Sequence, residues 1–138
     1  MSSSLLVLAS AVIVFALGLV HLLITFRGPK LRPRSAALLA QMQADSPGIT
    51  RQTSMWRAWL GFNASHSLGA MLYGAVYGYF ALCQPQLLFG SAYLSLLGAA
   101  LLSSYLWLAR RYWFSAPLAG ISLASICYAA AYALLALQ

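Results

Sequence analysis

Two histidines and one asparagine are the residues best suited to chemistry in this chain, and all three fall within long apolar runs: His21, Asn63 and His66. At about 100° per residue, Trp59, His66 and Tyr73 lie nearly on one line of a helix, with Asn63, Ala70 and Tyr77 beside it. Ser65 and Ser67 flank that face, and their hydroxyls can bond back to carbonyls of the preceding turn. His21 shares a face with Ser10, Gly18 and Thr25 in an earlier apolar run. An imidazole and a carboxamide are costly inside a membrane unless they find partners, so both faces are expected to point inward. The expected polar cluster is His21, Thr25, Asn63, His66, Tyr73 and Tyr77.

Three uses of such a cluster are open. Two histidines on facing helices could be axial ligands of a b-type haem, and His21 and His66 each have a glycine three residues deeper, Gly18 and Gly69. An aromatic wall with a few convergent polar groups could instead hold a lipid, a quinone or a pigment. The third use is structural: interhelical hydrogen bonds that fix helix register, in a small structural or accessory subunit. The third is preferred, with no cofactor expected. A tightly bound metal ion would want more ligands than the His pair offers. Cys83 and Cys127 have no metal spacing and read as buried free thiols. The only acid, Asp45, lies in a connection, so neither a carboxylate pair nor a Ser–His–Asp set is available. The same lack removes the carboxylate relay of a proton-coupled transporter. His66 beside Ser65 or Ser67 is poor geometry for a general base, because sequence neighbours on a helix do not face each other. Enzymatic activity stays open, with a non-enzyme favoured.

The elements that must position these groups follow from composition. The chain is 62% apolar and 7% charged, too little charge for a soluble domain. The net charge of +7 might suggest nucleic acid. However, the eight basic residues lie in or at the edge of two connections between apolar runs, which is a membrane-orientation pattern, and no nucleic-acid partner is expected. Spans are predicted at about 5–26, 56–82, 86–109 and 116–137. The first is expected to be an uncleaved helix, since no basic residue precedes it. Pro85 separates the second and third spans, Ser115 is a plausible cap, and Pro117 suits the first turn of the fourth. Trp56, Arg57, Trp59, Arg110, Arg111 and Trp113 read as interface anchors.

With the basic connections 27–55 and 110–115 cytoplasmic, both termini lie on the non-cytoplasmic side. The fold is therefore expected to be all-α, an up-down four-helix membrane bundle forming a single domain. His21 lies six residues before Arg27, about 9 Å into the membrane, and His66 nine residues after Arg57, about 13 Å. The two imidazoles should thus meet at similar depth. Packed seams are expected at Ser91, Ser95, Gly98 and Tyr105 on the third span, and at Ser122, Ser125, Ala129 and Tyr132 on the fourth. Ser35 should cap a short helix of roughly 35–45, with Leu38, Leu39 and Met42 as a narrow apolar stripe. Lying among Lys30, Arg32 and Arg34, it is either a surface helix near anionic headgroups or part of a solvated loop.

The segment Trp56–Gly69, W-R-A-W-L-G-F-N-A-S-H-S-L-G, resembles a family of uncharacterised small bacterial four-helix membrane proteins. That family carries a similar G-F-N-x-S-H-S-x-G segment early in its second span and a histidine near the end of its first, matching His21. The resemblance implies a multi-pass protein of the bacterial inner membrane and implies no chemistry. DoxX-like proteins share the four-helix layout without these residues. Membrane lipids are expected partners, together with a membrane-protein partner or a second copy.

Overall fold

The computed structural model describes residues 2–137. These form six helices: α1 (Ser2–Phe26), α2 (Ala36–Ala44), α3 (Met55–Cys83), α4 (Pro85–Gly90), α5 (Ala92–Tyr112) and α6 (Ser115–Ala136), and no strand occurs among the described residues. Three of them, α1, α5 and α6, are long and apolar enough to cross a membrane. The longest helix, α3, has 29 residues and is not among the three. Its Gly, Ser, Asn, His, Trp and Tyr residues dilute its hydropathy.

Helix boundaries follow local chemistry. Gly28 ends the run after α1 with φ +86°, a conformation that glycine adopts without strain. Ser35 caps α2 as expected, its Oγ accepting from the Leu38 amide at 3.3 Å. Several boundaries differ from the sequence expectation: α1 begins at Ser2, and α5 runs on to Tyr112, so that Arg110 and Arg111 lie in its last turn and not in a connection. The third apolar run is broken, because Ser91 adopts an extended backbone and its Oγ caps the Leu94 amide at 3.3 Å. Pro85–Gly90 therefore stands alone as α4, starting with proline where the missing N–H costs nothing. Ser115 is the first residue of α6 and not its cap; Phe114 takes that place without a side-chain hydrogen bond.

The chain forms two compact units: the described residues up to Leu17 with those from Ala70 onward, and Gly18–Gly69. The core of the first contains Val7, Ala11 and Val14 of α1, Tyr73, Tyr77 and Ala81 of α3, and Ile121, Ala124, Tyr128 and Ala131 of α6. Small residues permit its closest approaches, as expected for helices packing without a hydrophobic drive. A Cβ at Gly74 would stand 2.5 Å from Phe15 Cβ and 2.6 Å from the Ala11 carbonyl oxygen. A Cβ at Gly98 would strike the Tyr128 hydroxyl and come within 2.8 Å of the Tyr77 ring.

The expected α5 seam is realised at Gly98, which is buried, with Ser91, Ser95 and Tyr105 half-buried. The expected α6 seam is displaced by one residue. Ile121, Ala124, Tyr128 and Ala131 are buried, while Ala129 is exposed and Ser122, Ser125 and Tyr132 are half-buried. The Ser125 hydroxyl donates to the Ile121 carbonyl at 2.8 Å within its own helix, as Ser95 does to Ser91 on α5, so these serines need no partner across the packed face and do not by themselves mark it.

Candidate functional site

The polar cluster is built in the Gly18–Gly69 unit from the end of α1 and the start of α3. Ser54 Oγ accepts from the Arg57 amide at 3.3 Å and so holds the first turn of α3. From there a relay runs along one face at intervals of four residues. The Asn63 side-chain Nδ2 donates to the Trp59 carbonyl at 2.8 Å, and Ser67 Oγ donates to the Asn63 carbonyl at 2.8 Å. On α1, Thr25 Oγ1 donates to the His21 carbonyl at 2.7 Å. Thr25 and Ser67 are buried, and Asn63, His21 and His66 are half-buried.

Asn63 joins the two helices. Its Oδ1 lies 2.9 Å from His21 Nε2. A backbone carbonyl only accepts, so the Trp59 bond fixes Nδ2 there and turns Oδ1 toward His21. Oδ1 is likewise only an acceptor, so His21 Nε2 must carry the hydrogen and donate. The second imidazole meets the first edge to face, with ring centroids 5.6 Å apart and planes at 85°. The arrangement thus couples α1 to α3 through one directed hydrogen bond and one ring contact.

Nucleophilic chemistry has poor support here. Ser65 Oγ donates to the Phe62 carbonyl at 3.0 Å and Ser67 Oγ to the Asn63 carbonyl, so both hydroxyl protons are engaged by backbone. Among the described residues no group of three His, Cys, Asp or Glu side chains could hold a metal ion. Cys83 and Cys127 are free thiols, but neither is buried as expected: Cys83, at the end of α3, is exposed and Cys127 is half-buried.

Of the six residues expected in one cluster, the structure brings together His21, Thr25, Asn63 and His66. Tyr73 and Tyr77 belong to the other unit and form a separate aromatic ladder. Their rings stack at 4.6 Å, and Tyr77 meets Tyr128 at 6.1 Å and 74°. Tyr73 Oη lies 3.5 Å from Ser10 Oγ, Tyr77 donates to the Leu94 carbonyl at 2.7 Å, and Tyr128 donates to the Ser95 carbonyl at 2.9 Å. Sequence reasoning missed Tyr128 as the centre of this ladder. The signal was present in the spacing of Ile121, Ala124, Tyr128 and Ala131, but the serines of the adjacent face drew the assignment away.

The expected anchors divide. Arg57, Arg110 and Arg111 are exposed. Trp56 is half-buried, as is Trp113, whose ring lies 6.2 Å from Tyr105. The Trp59 ring is exposed rather than part of the inward wall, and its Nε1 donates to the Leu31 carbonyl at 3.3 Å. Trp59 therefore serves the cluster through its backbone and the 27–54 connection through its indole. Compared with protein-family models, with curated proteins and with solved structures, the chain matches none.

Proposed function

We propose that this chain is a multi-pass protein of the bacterial inner membrane, with α1, α3, α5 and α6 as its four spans and both termini on the non-cytoplasmic side. Its role is that of a structural or accessory membrane subunit whose buried polar residues fix helix register. The hydrogen bond from His21 Nε2 to Asn63 Oδ1 carries this reading, because it uses the two costliest groups of the cluster to satisfy one another. The likeness of Trp56–Gly69 to the small bacterial four-helix family accords with it. As a helix α3 is about 44 Å long, more than the ~30 Å hydrocarbon core requires. Asn63, Ser65 and Ser67 are hydrogen-bonded within it and Asn63 also to His21 of α1, which lowers the cost of placing a less apolar helix in lipid.

The same geometry weighs against a haem between the imidazoles. His21 Nε2 is engaged as a donor to Asn63, and the two rings already touch edge to face. Gly69, the residue that would have admitted a macrocycle on α3, is exposed.

The test compares the wild-type chain with Asn63→Leu and His66→Ala, purified in mild detergent. Each variant should unfold at a lower temperature, with the co-extracted small molecules unchanged by mass spectrometry. A non-bulk lipid, quinone or pigment present in the wild type and lost in both variants would overturn the structural role in favour of a binding pocket.

A further inference from the structure

The connection between α1 and α3 has more structure than a membrane loop needs for linkage alone. Within it and at its two ends lie six basic residues, Arg27, Lys30, Arg32, Arg34, Arg51 and Arg57, and all are exposed. The sole acid, Asp45, has its Oδ1 engaged by the Ser46 amide at 2.8 Å. Two long-range ties hold the segment in shape. The Trp59 indole donates to the Leu31 carbonyl at 3.3 Å, and the Met55 amide donates to the Asp45 carbonyl at 2.9 Å. Between these ties, the capped helix α2 buries none of its residues. Apolar side chains stand uncovered among the cations: Leu38 is 47% exposed and Ile49 is 93% exposed.

We infer that residues 27–54 form a docking platform for the anionic phospholipid headgroups of the bilayer that holds α1. Cations interleaved with uncovered apolar side chains suit the boundary between headgroups and acyl chains. Surface charges act over about 8 Å at physiological salt, so the partner must lie close. The platform is tethered directly to α1, a helix long and apolar enough to cross a membrane. Lipid is therefore present at high effective concentration, whereas an acidic protein or a nucleic acid must arrive by diffusion. The inference rests on the membrane placement and not on the role given to the imidazole cluster.

Hydrogen–deuterium exchange on the full chain tests it, in nanodiscs of phosphatidylcholine alone or with about one third phosphatidylglycerol. Amides of α2 and of residues 46–50 should exchange more slowly in the anionic discs. That protection should vanish in about 1 M salt, where the screening length falls to ~3 Å. Arg32→Gln with Arg34→Gln should weaken docking about 25-fold, at about fivefold per basic residue. Equal exchange in the two lipids would overturn the platform while leaving the membrane placement intact. Protection in neutral discs that salt does not touch would also overturn it, as would protection conferred by an added oligonucleotide or acidic peptide but not by phosphatidylglycerol. Fast exchange throughout α1 in both discs would remove the membrane placement and the platform together.

Discussion

The bond from His21 to Asn63 can be isolated energetically, because the second bond of Asn63 is local to its own helix. Three variants are needed: His21→Phe, Asn63→Leu and the double. Asn63→Leu removes two hydrogen bonds, one to His21 at 2.9 Å and one to the Trp59 carbonyl at 2.8 Å. The second spans only four residues and persists wherever α3 stays helical, so it largely cancels between folded and unfolded states in a membrane. His21→Phe keeps an aromatic ring against His66 and removes the donor. The coupling energy of the pair should therefore approximate the interhelical bond, about 0.6–1.7 kcal/mol on the scale of measured bonds in membrane helices. Each single variant should cost about 1–2 kcal/mol, since it leaves its partner unsatisfied in a half-buried site. Reversible unfolding in mixed micelles, followed by circular dichroism at fixed pH, gives all four free energies. A coupling below about 0.3 kcal/mol, the range in which independent sites simply add, would refute the claim that this bond joins α1 to α3.

Other outcomes follow from the same structure. Long-range nitrogen–proton correlation at alkaline pH should find the His21 hydrogen on Nε2; a hydrogen on Nδ1 would contradict the assigned direction of the Asn63 bond. Gly74→Ala should destabilise by about 1–3 kcal/mol, because backbone and Cβ atoms of α1 block the new methyl. Gly120→Ala meets only the flexible end of Leu17 and should cost distinctly less in the same unfolding assay; equal costs would contradict the close approach at Gly74. Tyr128→Phe should lose about 1 kcal/mol with the Ser95 bond, less than Gly98→Ala, which must displace the whole Tyr128 ring.

Polarity within apolar runs made much of this molecule legible. A histidine, an asparagine and a threonine in long apolar stretches must find partners. Their helical phase, with the count of residues from Arg27 and Arg57, is enough to expect His21 and His66 to meet, and their rings lie 5.6 Å apart. The Ser35 cap was readable for a similar reason, since its chemistry acts over three residues. Packing between helices was harder to read. On α6, serines suggest one face while Ile121, Ala124, Tyr128 and Ala131 form the buried one; a serine hydroxyl satisfied by its own helix is a poor guide to the packed face. Tyr73 and Tyr77 continue the line of His66 on α3, yet they join a ladder with Tyr128. Helical phase fixes a direction but does not name the neighbour waiting there. The break at Ser91 was obscured because its flanking residues are as apolar as a continuous span would require.

The pairing of His21 with Asn63 also bears on how the chain enters a membrane. On the four-span reading, α1 is made first and is the more apolar helix, so it can settle in lipid alone. When α3 emerges, it carries Asn63 and His66 into a medium with no water to satisfy them. His21 is by then already in place as a donor for the carboxamide. Entry of α3 is then a templated event, its barrier lowered by a helix that went before. A chain lacking His21 would be expected to leave a fraction of its copies with α3 outside the bilayer, a defect of assembly that equilibrium stability would not reveal.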